Sequence, residues 1–365
     1  MNPRRRAWLA QLAAVPWAAS AVGEQASQGE VRRGRALAFP RDHGAHLAAR
    51  TEWWYATGWL GSEAEPRWGF QITFFRSRTG LAEDLAGRFA ARQLLFGHAA
   101  LSDLAQRRHR HTQRIARWSG EGASALGSAS VLDGDVHLSR WSLRRESGVW
   151  LAQLPAEDFT LELSLQPTQP LLLQGDAGFS RKGPDDSQAS HYYSEPQLAV
   201  RGAVTLDGQR VEASGRGWLD REWSDHYLAG DAVGWDWIGI NLFDGSTLMA
   251  FCIRHPDGSR LWAGGSWRVP GRTTVDFGPE DVRFVPGRRW TSPSSQASYP
   301  VEWQIETRAG RFMLRSLMDA QELDSRGSTG AIYWEGLAEL LDGNGRRVGL
   351  GYLEMTGYAA RLRMQ

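Results

Sequence analysis

The chain repeats itself, and the repeat is written in strands. In the first copy H-Y-Y-S-E-P is followed by the turn L-D-G-Q-R-V and by G-R-G-W-L-D, ending at Asp220. In the second, I-Y-W-E-G is followed by L-D-G-N-G-R-R-V and by G-L-G-Y-L-E, ending at Glu354. Both keep one order: aromatic pair, turn, then G-x-G-aromatic-Leu-acid. The openings echo each other too. E-W-W-Y-A-T-G-W-L, with a partner run ending F-F-R at Arg76, parallels W-D-W-I-G-I-N-L, with a partner ending C-I-R at Arg254. Each half therefore starts with a Trp-rich hairpin ending in Arg and finishes on a hairpin ending in a carboxylate. Such a chain folds as two similar units in tandem.

Both units are β. From Thr51 to Tyr358 the apolar runs are short, alternate with polar residues and are bounded by Gly, Pro and Asp. One stretch, A-E-D-L-A-G-R-F-A-A-R-Q, has helical spacing and predicts a short helix, weakened by Gly87. The fold class is all-β: two tandem barrels over about residues 40–224 and 225–362, packed at a Trp-rich seam. A small β-barrel with interior room encloses one apolar ligand.

The seam is where the chemistry concentrates. Gly215 to Arg254 sets Asp220, Arg221, Glu222, Asp225, His226 and Asp236 among Trp218, Trp223, Trp235 and Trp237. Charges in so apolar a stretch need partners or change their protonation state. Two readings stay open. One is a structural ion-pair network. The other is a ligand site walled by Trp53, Trp54, Trp223, Trp235 and Trp237, with Tyr192 and His98 beside it. Its polar floor is Glu52, Asp220, Arg221, Glu222 and Asp236. Arg76, Asp103, Tyr193, Glu335 and Glu354 are further candidates. A carboxylic acid in an aromatic pocket holds a proton near neutrality and can protonate an alkene, and indole faces can steady the resulting cation. Glu222 and Asp236 are the expected donors.

Other chemistries find little footing. With 42 Lys+Arg against 41 Asp+Glu, no global charge calls for nucleic acid. The basic run Q-R-R-H-R-H-T-Q-R-I-A-R reads as a solvated edge. Lys182 is the one lysine, set in the polar loop R-K-G-P-D-D-S, which argues against Schiff-base catalysis. Cys252 is the one cysteine, so there is neither an intrachain disulfide nor a Cys-based metal cluster. No G-x-S-x-G, H-E-x-x-H, Walker A or Rossmann pattern occurs. No cofactor and no metal site is expected. Residues 1–25, with Arg4-Arg5-Arg6, a short apolar run and small residues near Ala19, read as a cleaved export signal that resembles the twin-arginine type. A periplasmic or secreted location follows.

H-L-A-A-R-T-E-W-W-Y-A-T-G-W-L, Q-I-T-F-F-R, G-H-A-A-L-S-D, W-L-D-R-E-W-S, G-W-D-W, Y-W-E-G and G-Y-L-E-M-T-G-Y together resemble the carotenoid 1,2-hydratase-like family. More closely they resemble its AttH-type secreted branch, over residues 43 to 358. The resemblance implies two lipocalin-like barrels, a hydrophobic lipid, isoprenoid or polyene ligand, and hydratase- or cyclase-type chemistry. It also implies a second possibility, a non-enzymatic carrier or chaperone working with an ABC-type membrane exporter. Hydratases of this family are expected to carry His-x-Trp at the seam and Tyr-x-Asp on a following strand. Here Arg221-Glu222-Trp223 and Phe251-Cys252-Ile253 stand instead, which removes that proton donor.

Overall fold

The computed structural model describes residues 31–362 apart from 86 and 88. The expected export signal lies outside the described residues. A 13-stranded antiparallel sheet makes the first unit. Across it run Arg108–Trp118, Gln93–Asp103, Pro66–Arg78, Thr51–Gly61, Gln209–Ser224, Ala189–Leu206 and Phe159–Gln166. Val149–Pro155, Trp141–Glu146, Asp135–Leu138 and Gly127–Ala129 complete the path. Its two ends curl together. A Cβ placed on Gly97 would lie 2.9 Å from Leu138, and one on Gly127 would lie 3.2 Å from Leu95. The result is a nearly closed barrel.

A 10-stranded sheet makes the second unit, and it begins only at Gly234. Gly234–Leu242 lies at its middle, between Thr247–Arg254 and Arg347–Met355. The repeat seen in the sequence thus becomes the repeated pairing of an opening Trp-rich strand with a closing G-x-G strand: Thr51–Gly61 with Gln209–Ser224, and Gly234–Leu242 with Arg347–Met355. The glycines have a local reason to be there. A Cβ on Gly215 would meet the Trp59 carbonyl at 1.9 Å, and one on Gly351 would meet the Gly239 carbonyl at 2.0 Å.

Strand alternation sorts side chains between three apolar regions. Trp54, Ala56, Leu60 and Leu219 enter the first barrel's core, and Ile238, Ile240, Leu353 and Met355 enter the second's. The opposite faces meet in the seam, where Tyr55, Trp59, Tyr192, Trp218, Trp237, Phe251 and Tyr352 form one cluster. The described residues of 82–93 form no helix. Leu81, Leu85 and Phe89 are 79%, 62% and 69% exposed, so the helical stripe has no surface to bury against, and a helix this short is not stable without one.

Candidate functional site

Because strand neighbours point to opposite faces, the expected polar floor divides in three. Glu52 and Arg221 face the first barrel. Glu52 pairs with Arg76 and Arg221, and accepts the His46 backbone N–H at 3.0 Å. Arg76 also donates to Gln93 Oε1 (2.6 Å) and to the His46 and Ala49 carbonyls. The Arg221 guanidinium lies 3.8 Å above the Trp54 ring, and His46 stacks on Trp223 at 3.6 Å. Burial alone would raise the Glu52 carboxyl, but the two guanidiniums hold it well below the usual range. Every partner is satisfied, and the group binds residues 42–50 across the barrel. For these residues, and for Trp54 and Trp223 beside them, the ion-pair network is the better description.

Asp236 faces the second barrel. It forms an ion pair with Arg254 at 2.8 Å and accepts the Tyr358 hydroxyl at 2.9 Å. It is not part of the seam.

Asp220 and Glu222 do face the seam. Asp220 accepts Tyr192 Oη (2.7 Å), Ser194 Oγ (2.6 Å) and Trp218 Nε1 (2.7 Å). Burial nevertheless pushes its carboxyl up to about 7, against the pull of those three donors. Tyr192 in turn accepts the Trp237 indole N–H at 3.1 Å. Glu222 takes Ser190 Oγ and the Lys182 ammonium, the latter at 2.9 Å; burial raises it and Lys182 opposes the rise. The ammonium favours the ionised form of Glu222, whereas Asp220 has no ion-pair partner among the described residues.

From the second barrel, Glu335 and Glu354 stand directly opposite each other on adjacent strands, on the seam face. Burial lifts Glu335 well above the usual range, and the Glu354 charge adds to it. Burial likewise brings Glu354 to about 8, with Asp220 and Glu222 contributing. The Tyr55 hydroxyl neighbours Glu335, and neither that hydroxyl nor Glu335 Oε2 has a well-aligned hydrogen-bond partner among the described residues. This pair was among the wider sequence candidates but not on the expected floor. The signal that would have promoted it is the repeat, which places Glu354 where Asp220 stands in the first copy.

Lys182 departs from the reading of its surroundings as a polar loop. It is 1% exposed, because Phe179–Arg181 pairs with Ala189–His191 and turns the next residue into the seam. Its ammonium lies over the rings of Tyr192 (4.7 Å), Tyr227 (5.4 Å) and Phe251 (4.3 Å). Burial lowers its pKa while Glu222 pulls it back up. A direct check follows. An amine-reactive ester should leave Lys182 unmodified in the native protein and acylate it in urea, as read by peptide mass spectrometry. Native acylation at Lys182 would mean that the seam opens readily.

Trp53, Trp235 and Trp237 take their expected places at the seam. Trp53 and Trp235 both stack edge-on with Tyr227, at 4.9 and 5.4 Å. Tyr227 belongs to the segment joining the two sheets, and a cavity of about 450 Å³ opens beside it, lined also by Thr51, Asp225 and Ala232. His98 lies at the seam's edge. Its ring bonds Tyr333 Oη (2.6 Å) and Ser328 Oγ (2.9 Å) across the barrels, and burial lowers it to about 3, so it is a neutral tie.

Two antiparallel barrels packed through an aromatic, acid-bearing seam define a double-barrel lipocalin-like protein. The chain belongs to the AttH-like family, whose sequence profile matches residues 30–358. A crystal structure from Nitrosomonas europaea, assigned to AttH, is 47% identical with a TM-score of 0.82, covering 90% of this chain and 99% of that one. Kievitone hydratase from Nectria haematococca has a TM-score of 0.67 at 15% identity, covering 89% of this chain and 94% of its own. CghA has a TM-score of 0.53 at 14% identity, with 86% and 90% covered. No curated protein matches the chain.

Proposed function

We propose that this protein binds a hydrophobic lipid, isoprenoid or polyene at the seam and acts on it by proton donation, as a hydratase or cyclase. One observation carries the reading. Four carboxyl groups, Asp220, Glu222, Glu335 and Glu354, share an aromatic seam with a single ammonium, Lys182. Three buried carboxylates and a half-buried fourth against one cation are too costly to ionise together, so the seam retains protons at neutral pH. Asp220, rather than the ion-paired Glu222 and Asp236, is the donor on this reading, with the Glu335–Glu354 pair as its proton reserve. Protonating a trisubstituted alkene leaves a tertiary cation, which the faces of Trp218 and Trp237 stabilise. Water then adds to the cation and returns a proton to the carboxylate, giving an alcohol. In a cyclase a second double bond attacks instead, and a proton is lost to the same base. A hydratase, kievitone hydratase, has the same fold, as does CghA, which has been crystallised with Sch210972.

The ligand enters beside Tyr227, through the cavity under the inter-barrel segment. The mature protein works outside the cytoplasm, after removal of residues 1–25.

The test pairs binding with turnover on a panel of acyclic isoprenoid polyenes. Binding is read by tryptophan quenching, and reaction by a mass gain of one water with deuterium incorporated from D₂O. Asp220→Asn should lose about 10²–10⁴-fold in turnover and keep binding. Turnover should also fall as pH rises through about 7, where Asp220 ionises. Binding without reaction in the wild type points instead to a carrier handing its ligand to a membrane exporter. Absence of binding across the panel removes both.

A further inference from the structure

The second barrel has a mouth of its own, which meets the seam entrance only at Arg361. A cavity of about 1280 Å³ opens there, and seven of its lining residues are arginines against five carboxylates. Arginine makes up most of 42 basic residues in a 365-residue chain, so this lining is much richer in it than the chain as a whole. At the floor lies the Asp236–Arg254 pair. Asp236 is fully buried and Arg254 is 7% exposed. Arg254 Nε and Asp236 Oδ2 are 2.8 Å apart but misaligned, so neither atom has a hydrogen bond among the described residues. The Arg254 guanidinium lies 4.1 Å over the Tyr358 ring, which fixes its position.

The rim is not self-neutralised. Arg260 pairs with Glu280 at 2.8 Å and Arg308 with Asp281 at 3.2 Å, while Arg283 and Arg311 share Glu306 at 3.9 and 3.6 Å. Arg289 and Arg361 have no carboxylate within 4 Å among the described residues; they donate to Ser298 and to the Ala232 and Gly230 carbonyls. Asp257 binds Ser259 instead of an arginine. The mouth thus keeps a net positive charge over the buried Asp236–Arg254 ion pair. Phe284 and Trp303, packed edge-to-face at 5.6 Å, supply an apolar wall beside it.

We propose that this mouth is an anion site, taking the carboxylate or phosphate head of an amphiphile whose tail lies along Phe284 and Trp303. Guanidinium groups suit both heads, since each offers parallel N–H donors to paired oxygens. The site shares no residue with the acids of the seam, so it binds whether or not the seam is catalytic.

Calorimetry on the full mature protein at low salt tests this with laurate, dodecyl phosphate, dodecanol and inorganic phosphate. Laurate and dodecyl phosphate should bind and dodecanol should not, and added salt should weaken binding. Arg289→Gln with Arg283→Gln changes only exposed rim residues that do not line the seam entrance. It should weaken both anionic amphiphiles about tenfold, two exposed charges being worth a few-fold each. Arg254→Gln tests the floor and is interpreted only if circular dichroism matches the wild type. Inorganic phosphate binding as tightly as dodecyl phosphate keeps the anion site and overturns the amphiphile. No anion binding, equal binding of dodecanol, or affinities unchanged in the double variant would overturn the site itself.

Discussion

Replacing Glu52 by Gln should cost the first barrel about 3–5 kcal/mol, the largest loss expected from any single conservative change in this chain. The charge is compensated from two sides, by Arg76 and Arg221, and all three side chains are fully buried. Removing the carboxylate leaves two guanidiniums in the interior with only carbonyls and an amide for company. The size of the effect comes from that stranded charge, since a buried ion pair by itself contributes little over a well-packed apolar replacement. A second consequence concerns acid. Glu52 is held below its unfolded value, so its contribution is present above about pH 4.5 and fades as pH falls through the lower folded value. Glu52→Gln should therefore lower the urea midpoint at pH 7 and flatten the loss of stability towards pH 3. A change under about 1 kcal/mol at pH 7 would show the network to be solvated rather than sealed. Seam binding should survive in the folded fraction, because Glu52 faces the other way.

That contrast between Glu52 and Asp220 also marks how far the sequence could be read. The tandem β-barrels were legible, because aromatic and glycine positions repeat in order and strand geometry leaves few alternatives. The wall residues Trp53, Trp235 and Trp237 were legible for the same reason. Lumping Glu52, Arg221 and Asp236 with Asp220 and Glu222 was an error of parity. Asp220 and Glu222 are two apart and share a face, and Arg221 between them must take the other. Alternation says that much from sequence alone; which face meets the partner barrel depends on packing across more than a hundred residues. The burial of Lys182 was not legible because Gly183, Pro184 and Asp185 after it are loop formers, while its burial follows from a three-residue bridge to Ala189–His191. The helix at 82–93 failed from the opposite cause: a good local pattern with no surface to cover.

Stability should fall as pH rises from about 5 to 8, and the Glu335–Glu354 pair should be the main source. Both carboxyls are raised in the folded protein, Glu354 to about 8 from an ordinary value of 4.5. Between those values the unfolded chain has released protons that the folded chain still holds, so the native state binds more protons and the slope of unfolding free energy against pH is negative. Below about pH 4.5 both states are protonated and the penalty is absent. Above about 8 Glu354 ionises in the folded protein too and its contribution levels off. One fully raised group would give about 1.4 kcal/mol per pH unit. Glu354 is only part-buried and the two acids share their protons, so about 1–3 kcal/mol over the window is the expected total. Asp220, lifted to about 7, acts in the same direction. Glu335→Gln with Glu354→Gln should flatten the profile and leave the protein more stable than wild type at pH 8, since neutral amides carry no ionisation cost. Urea midpoints measured at half-unit steps decide it. A wild-type profile that is flat or rising over this range, or a double variant with an unchanged slope, would mean that the seam acids are ionised and solvated. The proton reserve on which the proposed chemistry depends would then not exist. If the slope is negative and the double variant removes it, the seam holds exchangeable protons at neutral pH, and Asp220 has a source from which to be recharged after each turnover.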